Sequence, residues 1–202
     1  GEGWAQFALF PDELEIREGR LKQKAELLYR KHEKYWQAVD KNDVALAFGH
    51  AADVVVLAAW RQDAEAFNEE YCRYLQRKHR AGADTPWFAG QIIMIARNDY
   101  TLEVFNGDIG LIMPDAESAN GLAAYFPNAD GFKKIAISRL PQFDSAFAMT
   151  VHKSQGSEYR EVWLLPPSGK IEQGGDDALS GLNNALLYTA ITRARERFVF
   201  WG

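Results

Sequence analysis

Residues Phe147–Tyr159 read FAMTVHKSQGSEY. A run of β-formers from Ala146 to Val151 leads into a polar loop, His152 to Glu158. An apolar run, Val162 to Leu165, follows. The pattern predicts a strand, a turn dense in hydrogen-bonding groups and a second strand. The loop holds an imidazole, an ammonium, two hydroxyls, an amide, a glycine and a carboxylate. No fold needs such a loop to hold together. It reads either as a polar, hairpin-like connection or as a binding loop, and the rest of the chain decides between them.

Downstream lies Leu186–Trp201, LLYTAITRARERFVFW. Its spacing predicts a helix over Leu182–Arg195 with Leu187, Ile191 and Ala194 on one stripe. Ser180 or Asn183 stands near the helix start, and a strand over Phe198–Trp201 follows. If the helix persists, Arg197 shares a face with Arg193. Arg195 and Arg197 then read as surface or helix-end arginines. The intervening PPSGKIEQGGDDALS, Pro166–Ser180, has the composition of a flexible surface loop. Its Gly169-Lys170 is not a phosphate loop, because the earlier glycine and the following Ser or Thr are missing.

Upstream, Asp53–Trp60 is a continuous valine-rich run, which predicts a buried strand of a parallel sheet. Asp63 is a plausible N-cap for a helix over Ala64–Lys78 with Phe67, Tyr71, Tyr74 and Leu75 on one stripe. Arg61 then stands where a parallel strand turns into a helix, the end at which open α/β sheets bind ligands. Arg20–Val39 reads as one amphipathic helix, and Asn42-Asp43 starts a short one through Ala47. Gly82, Asp84 and Pro86 mark a break.

From Gln91 to about Phe143 the texture changes to short β-prone segments. These are Gln91–Ala96, Leu102–Phe105, Ile109–Met113, Ala123–Phe126 and Lys133–Ser138. Asn106-Gly107 favours a tight type I′ turn. Short strands at this spacing suggest a small barrel.

The 202-residue chain is 47% hydrophobic and 13% aromatic, enough for one large packed domain or a medium one with an insert. No apolar run approaches a membrane span. The single cysteine, Cys72, excludes an internal disulfide and fits a reducing, cytoplasmic setting. The four histidines lack metal-ligand spacing. A net charge of −5 argues against a general nucleic-acid binder but leaves room for a local positive groove.

The two stretches, in this order and spacing, resemble motifs V and VI of superfamily-one helicases. The branch they resemble is the RecD-like one, that of the exodeoxyribonuclease V alpha subunit. VVVLAAWRQDAEAFN (Val54–Asn68), IMIARNDYTLEVFNGDIG (Ile93–Gly110) and SRLPQFDSAFAMTVHKSQGSEY (Ser138–Tyr159) agree with it. The resemblance implies the second RecA-like motor domain, a parallel sheet flanked by helices, with an inserted SH3-like β-barrel. Residues 1–86 would form its first part with N-terminal helices, 87–144 the barrel, and 145–202 the remainder.

The resemblance also implies a 5′→3′ DNA helicase of double-strand-break repair that uses ATP with magnesium. Its partners would be single-stranded and duplex DNA, RecB and RecC subunits, and its own N-terminal lobe. Arg193 matches the arginine that reaches the γ-phosphate, whose loss typically costs ~10³-fold or more in turnover. Arg61 matches a second phosphate-side arginine. Glu158 matches the carboxylate that accepts from the ribose, and Gly156 would let the backbone approach the nucleotide. Thr150 and His152 match DNA-backbone contacts, with Lys153 and Ser154 as further phosphate contacts. Asn106 reads first as turn chemistry.

No GxxxxGK[ST] occurs. The expectation is therefore a C-terminal motor lobe that does not hydrolyse ATP alone. A non-catalytic DNA-binding or adaptor module is the competing class. A Rossmann-type oxidoreductase is disfavoured because no GxGxxG follows a predicted strand.

Overall fold

The computed structural model describes residues 10–168 and 183–202. The described residues open with strand β1 (Glu13–Arg17) and three helices, α1 (Leu21–Lys31), α2 (Glu33–Asp40) and α3 (Val44–Ala51). Strand β2 (Val54–Ala58) and helix α4 (Arg61–Arg77) follow. Then come β3 (Ile92–Ile95), β4 (Ile109–Pro114), β5 (Leu122–Asn128), β6 (Gly131–Ile135) and β7 (Phe143–Ser145). The chain closes with β8 (Ala148–Thr150), β9 (Tyr159–Leu165), α5 (Asn184–Ile191) and β10 (Ala194–Trp201).

Among the described residues two five-stranded sheets result, ordered β1-β10-β9-β2-β8 and β6-β5-β4-β3-β7. Every pairing in the first is parallel, and every pairing in the second is antiparallel. The valine-rich strand is β2, buried at all five positions between β9 and β8. That is the pattern of a strand covered on both faces. The fold is thus an α/β fold, a parallel sheet flanked by helices, with a second, antiparallel sheet.

The polar loop after β8 is not a hairpin. β8 and β9 run parallel and flank β2 on opposite sides, so the loop is a crossover. The antiparallel sheet is an open run whose end strands, β6 and β7, do not pair with each other. Leu102–Phe105, expected as a strand, is a turn closed by one isolated bridge, Asp99 to Val104. β7 has no counterpart among the expected strands. The turn at Asn106-Gly107 has positive φ only at Gly107 (+97°), and the Asp108 N–H donates to the Phe105 carbonyl. It is therefore not the type I′ turn expected, which needs positive φ at both central residues.

The expected helix over Arg20–Val39 divides at His32. That residue leaves helical geometry (ψ 20°) and sends its fully buried ring under β2, where Nε2 bonds the Val54 carbonyl at 2.9 Å. Asp43 caps α3 by accepting from the Leu46 N–H, and the helix runs on to Ala51. Trp60, not Asp63, is the N-cap of α4. Asp63 lies buried in the first turn and accepts from the Ser168 hydroxyl. Most of the loop at 166–180 and the start of the helix expected from Leu182 lie outside the described residues.

Alternation along β3 and β4 joins the two sheets. Ile92, Met94, Leu111 and Met113 enter the large core under the parallel sheet, while Ile93, Ile95 and Ile112 enter a small core with Val104, Ala124 and Phe126. Successive strand residues face opposite sides, so one strand serves both cores. The seam is tight. The Tyr35 hydroxyl donates to the Gly90 carbonyl at 2.5 Å, Phe48 stacks on Phe132 at 4.9 Å, and the Gln91 amide bonds the Ser145 hydroxyl.

Candidate functional site

The sheet register divides the candidate residues between two ends. Thr150 stands opposite Ala58, and Ala58 opposite Leu165, at the carboxyl end. Tyr159 stands opposite Ala194 at the amino end. From Tyr159 to Leu165 a strand at ~3.3 Å per residue covers roughly 20 Å. The loop between β8 and β9 therefore crosses the sheet from one end to the other.

At the carboxyl end, the Val151 N–H donates to the Ala58 carbonyl and continues the pairing of β8. The Thr150 hydroxyl accepts from the Lys153 N–H at 3.2 Å and starts a 3-10 turn over His152–Ser154. That turn leaves His152 and Lys153 exposed. Lys153 Nζ reaches across to the antiparallel sheet and donates to Asn106 Oδ1 at 2.6 Å. Ser154 is a correction. Its side chain is fully buried and its hydroxyl donates to the Val151 carbonyl at 2.6 Å, so it holds the turn and cannot meet a phosphate.

Arg61 opens α4 at the same end. Its Nε donates to Glu65 at 2.7 Å, and Nη2 lies 3.8 Å from Asp144. Glu65 first, then Asp144, raises its already high pKa. The side chain is 69% exposed, so these pairs hold it weakly. A cavity of about 420 Å³ lies here, lined by Arg61, Asn68, Asn106, Asp144, Thr150 and Lys153 among others.

At the amino end, α5 stops at Ile191, Thr192 caps it, and Arg193 fills the joint before β10. Arg193 Nη1 donates to the Ser157 carbonyl at 3.3 Å and Nη2 to the Thr192 hydroxyl at 3.4 Å. Its own carbonyl accepts from the Tyr159 N–H at 2.8 Å. Its Nε is buried with no partner among the described residues. Burial pushes the Tyr159 hydroxyl up, and Ser157 and the Arg193 charge draw it partly back. Gly156 has φ +85°, a conformation that L side chains rarely adopt, although a Cβ there would meet only open space. Glu158, next to Tyr159, is exposed.

The structure thus brings Arg193 to the loop carrying Gly156 and Glu158, and Lys153 to Asn106. It does not bring Arg61 to Arg193. Arg197 is not on the helix. It lies on β10 and pairs with Glu15, Glu161 and Glu13. Arg195 is on the same strand and exposed. Neither is a helix-end arginine. No three His, Cys, Asp or Glu side chains among the described residues are arranged to hold a metal ion.

Sequence reasoning missed Asn68. This buried α4 side chain covers the outer edge of β8: Nδ2 donates to the Ser145 and Ala148 carbonyls, and Oδ1 accepts from the Ala148 N–H. An asparagine on the buried side of a helix, where its propensity is poor, was the available signal. Nothing local could have announced the Asn106–Lys153 bond, which joins residues 47 positions apart.

Residues 145–200 match the family model of the UvrD-like helicase C-terminal domain. Over its C-terminal half the chain is similar to RecD subunits. The RecBCD enzyme subunit RecD of Mycobacterium tuberculosis is 41% identical over 113 residues, 56% of this chain and 18% of that protein. RecD of Haemophilus influenzae is 34% identical over 116 residues, 57% of this chain and 15% of that one. The ATP-dependent RecD2 DNA helicase of Deinococcus radiodurans is 33% identical over 113 residues, 56% and 14% respectively. The chain thus spans less than a fifth of these relatives, at most 18%. Among solved structures, the Pif1 helicase of Candida albicans overlaps 83% of this chain and 53% of its own, at a TM-score of 0.48 and 14% identity.

Proposed function

We propose that the chain is the C-terminal motor lobe of an ATP-dependent 5′→3′ DNA helicase, an exodeoxyribonuclease V alpha subunit. It would couple ATP hydrolysis to movement along single-stranded DNA in double-strand-break repair and recombination. The observation that carries this reading is the seating of Arg193 against Ser157, beside Gly156 and Glu158, with a buried Nε that has no partner among the described residues. Among the described residues the guanidinium is held by two long bonds, of 3.3 and 3.4 Å, which leaves Nη donors for an anion. Those residues fit a nucleotide phosphate and ribose.

ATP, with magnesium, supplies the phosphoryl group to be transferred. Arg193 stabilises charge on its oxygens, Glu158 accepts from the ribose hydroxyl, and Gly156 gives the loop its turn. Arg61 is assigned to the phosphate side by resemblance alone. Thr150, His152 and Lys153 hold the DNA backbone. The phosphate-cradling loop and the magnesium ligands belong to the parent's N-terminal lobe, so this chain does not hydrolyse ATP alone. Residues 1–86 and 145–202 form the RecA-like domain and 87–144 the insert, an SH3-like module with open pairing. RecB and RecC are the proposed partners, and the cytoplasm the proposed location. No described helix is long and apolar enough to cross a membrane.

Single-strand-stimulated ATP hydrolysis by the full-length protein tests the proposal. Stimulation supports the motor. DNA binding with no hydrolysis supports the adaptor module instead.

A further inference from the structure

Helices α1 and α4 pack side by side, and a cleft of about 440 Å³ lies between them. Lys22, Arg77 and Lys78 line it, with Gln23, Glu26 and Tyr74. Tyr74 is half-buried and edge to face with Tyr29, centroids 5.4 Å apart. The two rings seat the cations. Arg77 lies 5.5 Å from the centre of Tyr74, and Lys78 lies 5.7 Å from Tyr74 and 5.9 Å from Tyr29. The acid of the cleft, Glu26, is paired with Arg30 at 2.7 Å, and nearby Glu70 with Arg73 at 3.0 Å. Among the described residues no carboxylate pairs with Lys22, Arg77 or Lys78, and all three are exposed. Positive charge thus gathers here on a chain whose net charge is −5.

A helix end accounts for part of this. Arg77 and Lys78 close α4, where cations suit the helix dipole. Lys22 has no such reason. It stands in the first turn of α1, which holds no acid and where a cation opposes the dipole. Stability alone would favour an acid at that end. An anion bound in the cleft reverses the sign, because it would meet the helix start and the three cations together.

The acids around the cleft select the kind of anion. Glu26 lines it, and Glu33 and Asp40 line the adjoining hollow beside Tyr29, Trp36 and Arg80. A continuous phosphate backbone would run onto these carboxylates. A peptide can set neutral residues opposite them and its own carboxylates opposite the cations. We propose that the cleft between α1 and α4 is a docking site for an acidic segment of a partner protein, its carboxylates bonded to Lys22, Arg77 and Lys78. At 1.5 Å per residue, α4 sets Arg77 roughly 24 Å from Arg61, clear of the cavity at the carboxyl end of the sheet. The proposal does not depend on the helicase reading.

The test is fluorescence anisotropy with the full-length protein and labelled octaglutamate, with octaglutamine and oligodeoxythymidylate as comparisons. Octaglutamate should bind, more weakly as salt rises, and octaglutamine should not. Lys22→Glu/Lys78→Glu should weaken octaglutamate binding about tenfold or more and leave oligodeoxythymidylate binding at the wild-type level. Lys22→Gln/Lys78→Gln should give a smaller loss in the same direction, which keeps the test decisive if the charge reversal fails to fold. Arg97→Glu/Arg139→Glu makes the same change in net charge at exposed positions outside the cleft and should leave octaglutamate affinity near wild type. No binding of octaglutamate, or equal losses in the cleft and control variants, would overturn the proposal. A loss confined to oligodeoxythymidylate would overturn it too, and would make the cleft a nucleic-acid surface.

Discussion

Lys153 and Asn106 meet at 2.6 Å across the two sheets, one on the loop after β8 and the other at the turn before β4. The bond fixes an ammonium that would otherwise swing on a four-carbon stem. Lys153→Ala should lower single-strand affinity several-fold and reduce the salt slope by about one counterion. Asn106→Ala should lower affinity less, and Lys153→Ala/Asn106→Ala should match Lys153→Ala alone. Additive losses would mean that the two act independently.

Asn68 should matter as much to stability as a core residue. Asn68→Ala leaves the Ser145 and Ala148 carbonyls and the Ala148 N–H without their partner. Unmet buried polar groups cost about 1–3 kcal/mol each before relaxation or water. Urea titration should show a loss of roughly 2–4 kcal/mol, and hydrogen exchange should rise first in β8.

Gly90 tests the seam. It has φ +88°, and a Cβ there would lie 2.4 Å from the buried Trp36 ring. Gly90→Ala combines backbone strain with overpacking, together about 3 kcal/mol or more. Calorimetry should place its Tm roughly 10 °C below wild type.

His32 makes stability pH-dependent. Burial lowers its pKa to about 4 from the ordinary 6.5, against smaller opposing effects of the Val54 carbonyl and the Asp53 and Glu161 charges. The folded protein therefore holds a neutral ring, and between those two values the unfolded chain binds more protons. Stability from this group is full above pH 6.5 and falls as pH drops toward 4, by up to about 3 kcal/mol. His32→Gln should flatten that slope by about one proton. An unchanged slope would mean that the ring titrates normally.

The fold was legible where one short-range pattern dominates. The unbroken run Val54–Ala58 gave a doubly covered strand, and Asp43 a cap. It was not legible where tertiary partners decide. The helical period across His32 is continuous, but the Val54 carbonyl draws the ring out of register. The same competition moved Arg197 from a helix to a strand, because β1 and β9 supply Glu15 and Glu161. Motif spacing pointed to Arg193 and its loop. It could not show that Ser154 is buried or that Arg61 lies at the far end of the sheet.

The central claim is that Arg193 acts on the transferring phosphoryl group. The direct measurement is single-strand-stimulated ATP turnover by the full-length protein, wild type against Arg193→Ala, with nucleotide affinity measured alongside. The account predicts a loss of ~10²-fold or more in kcat while ATP still binds. Because its bonds among the described residues are long, at 3.3 and 3.4 Å, Tm should change little. Unchanged turnover would contradict the account and leave a DNA-binding or adaptor module.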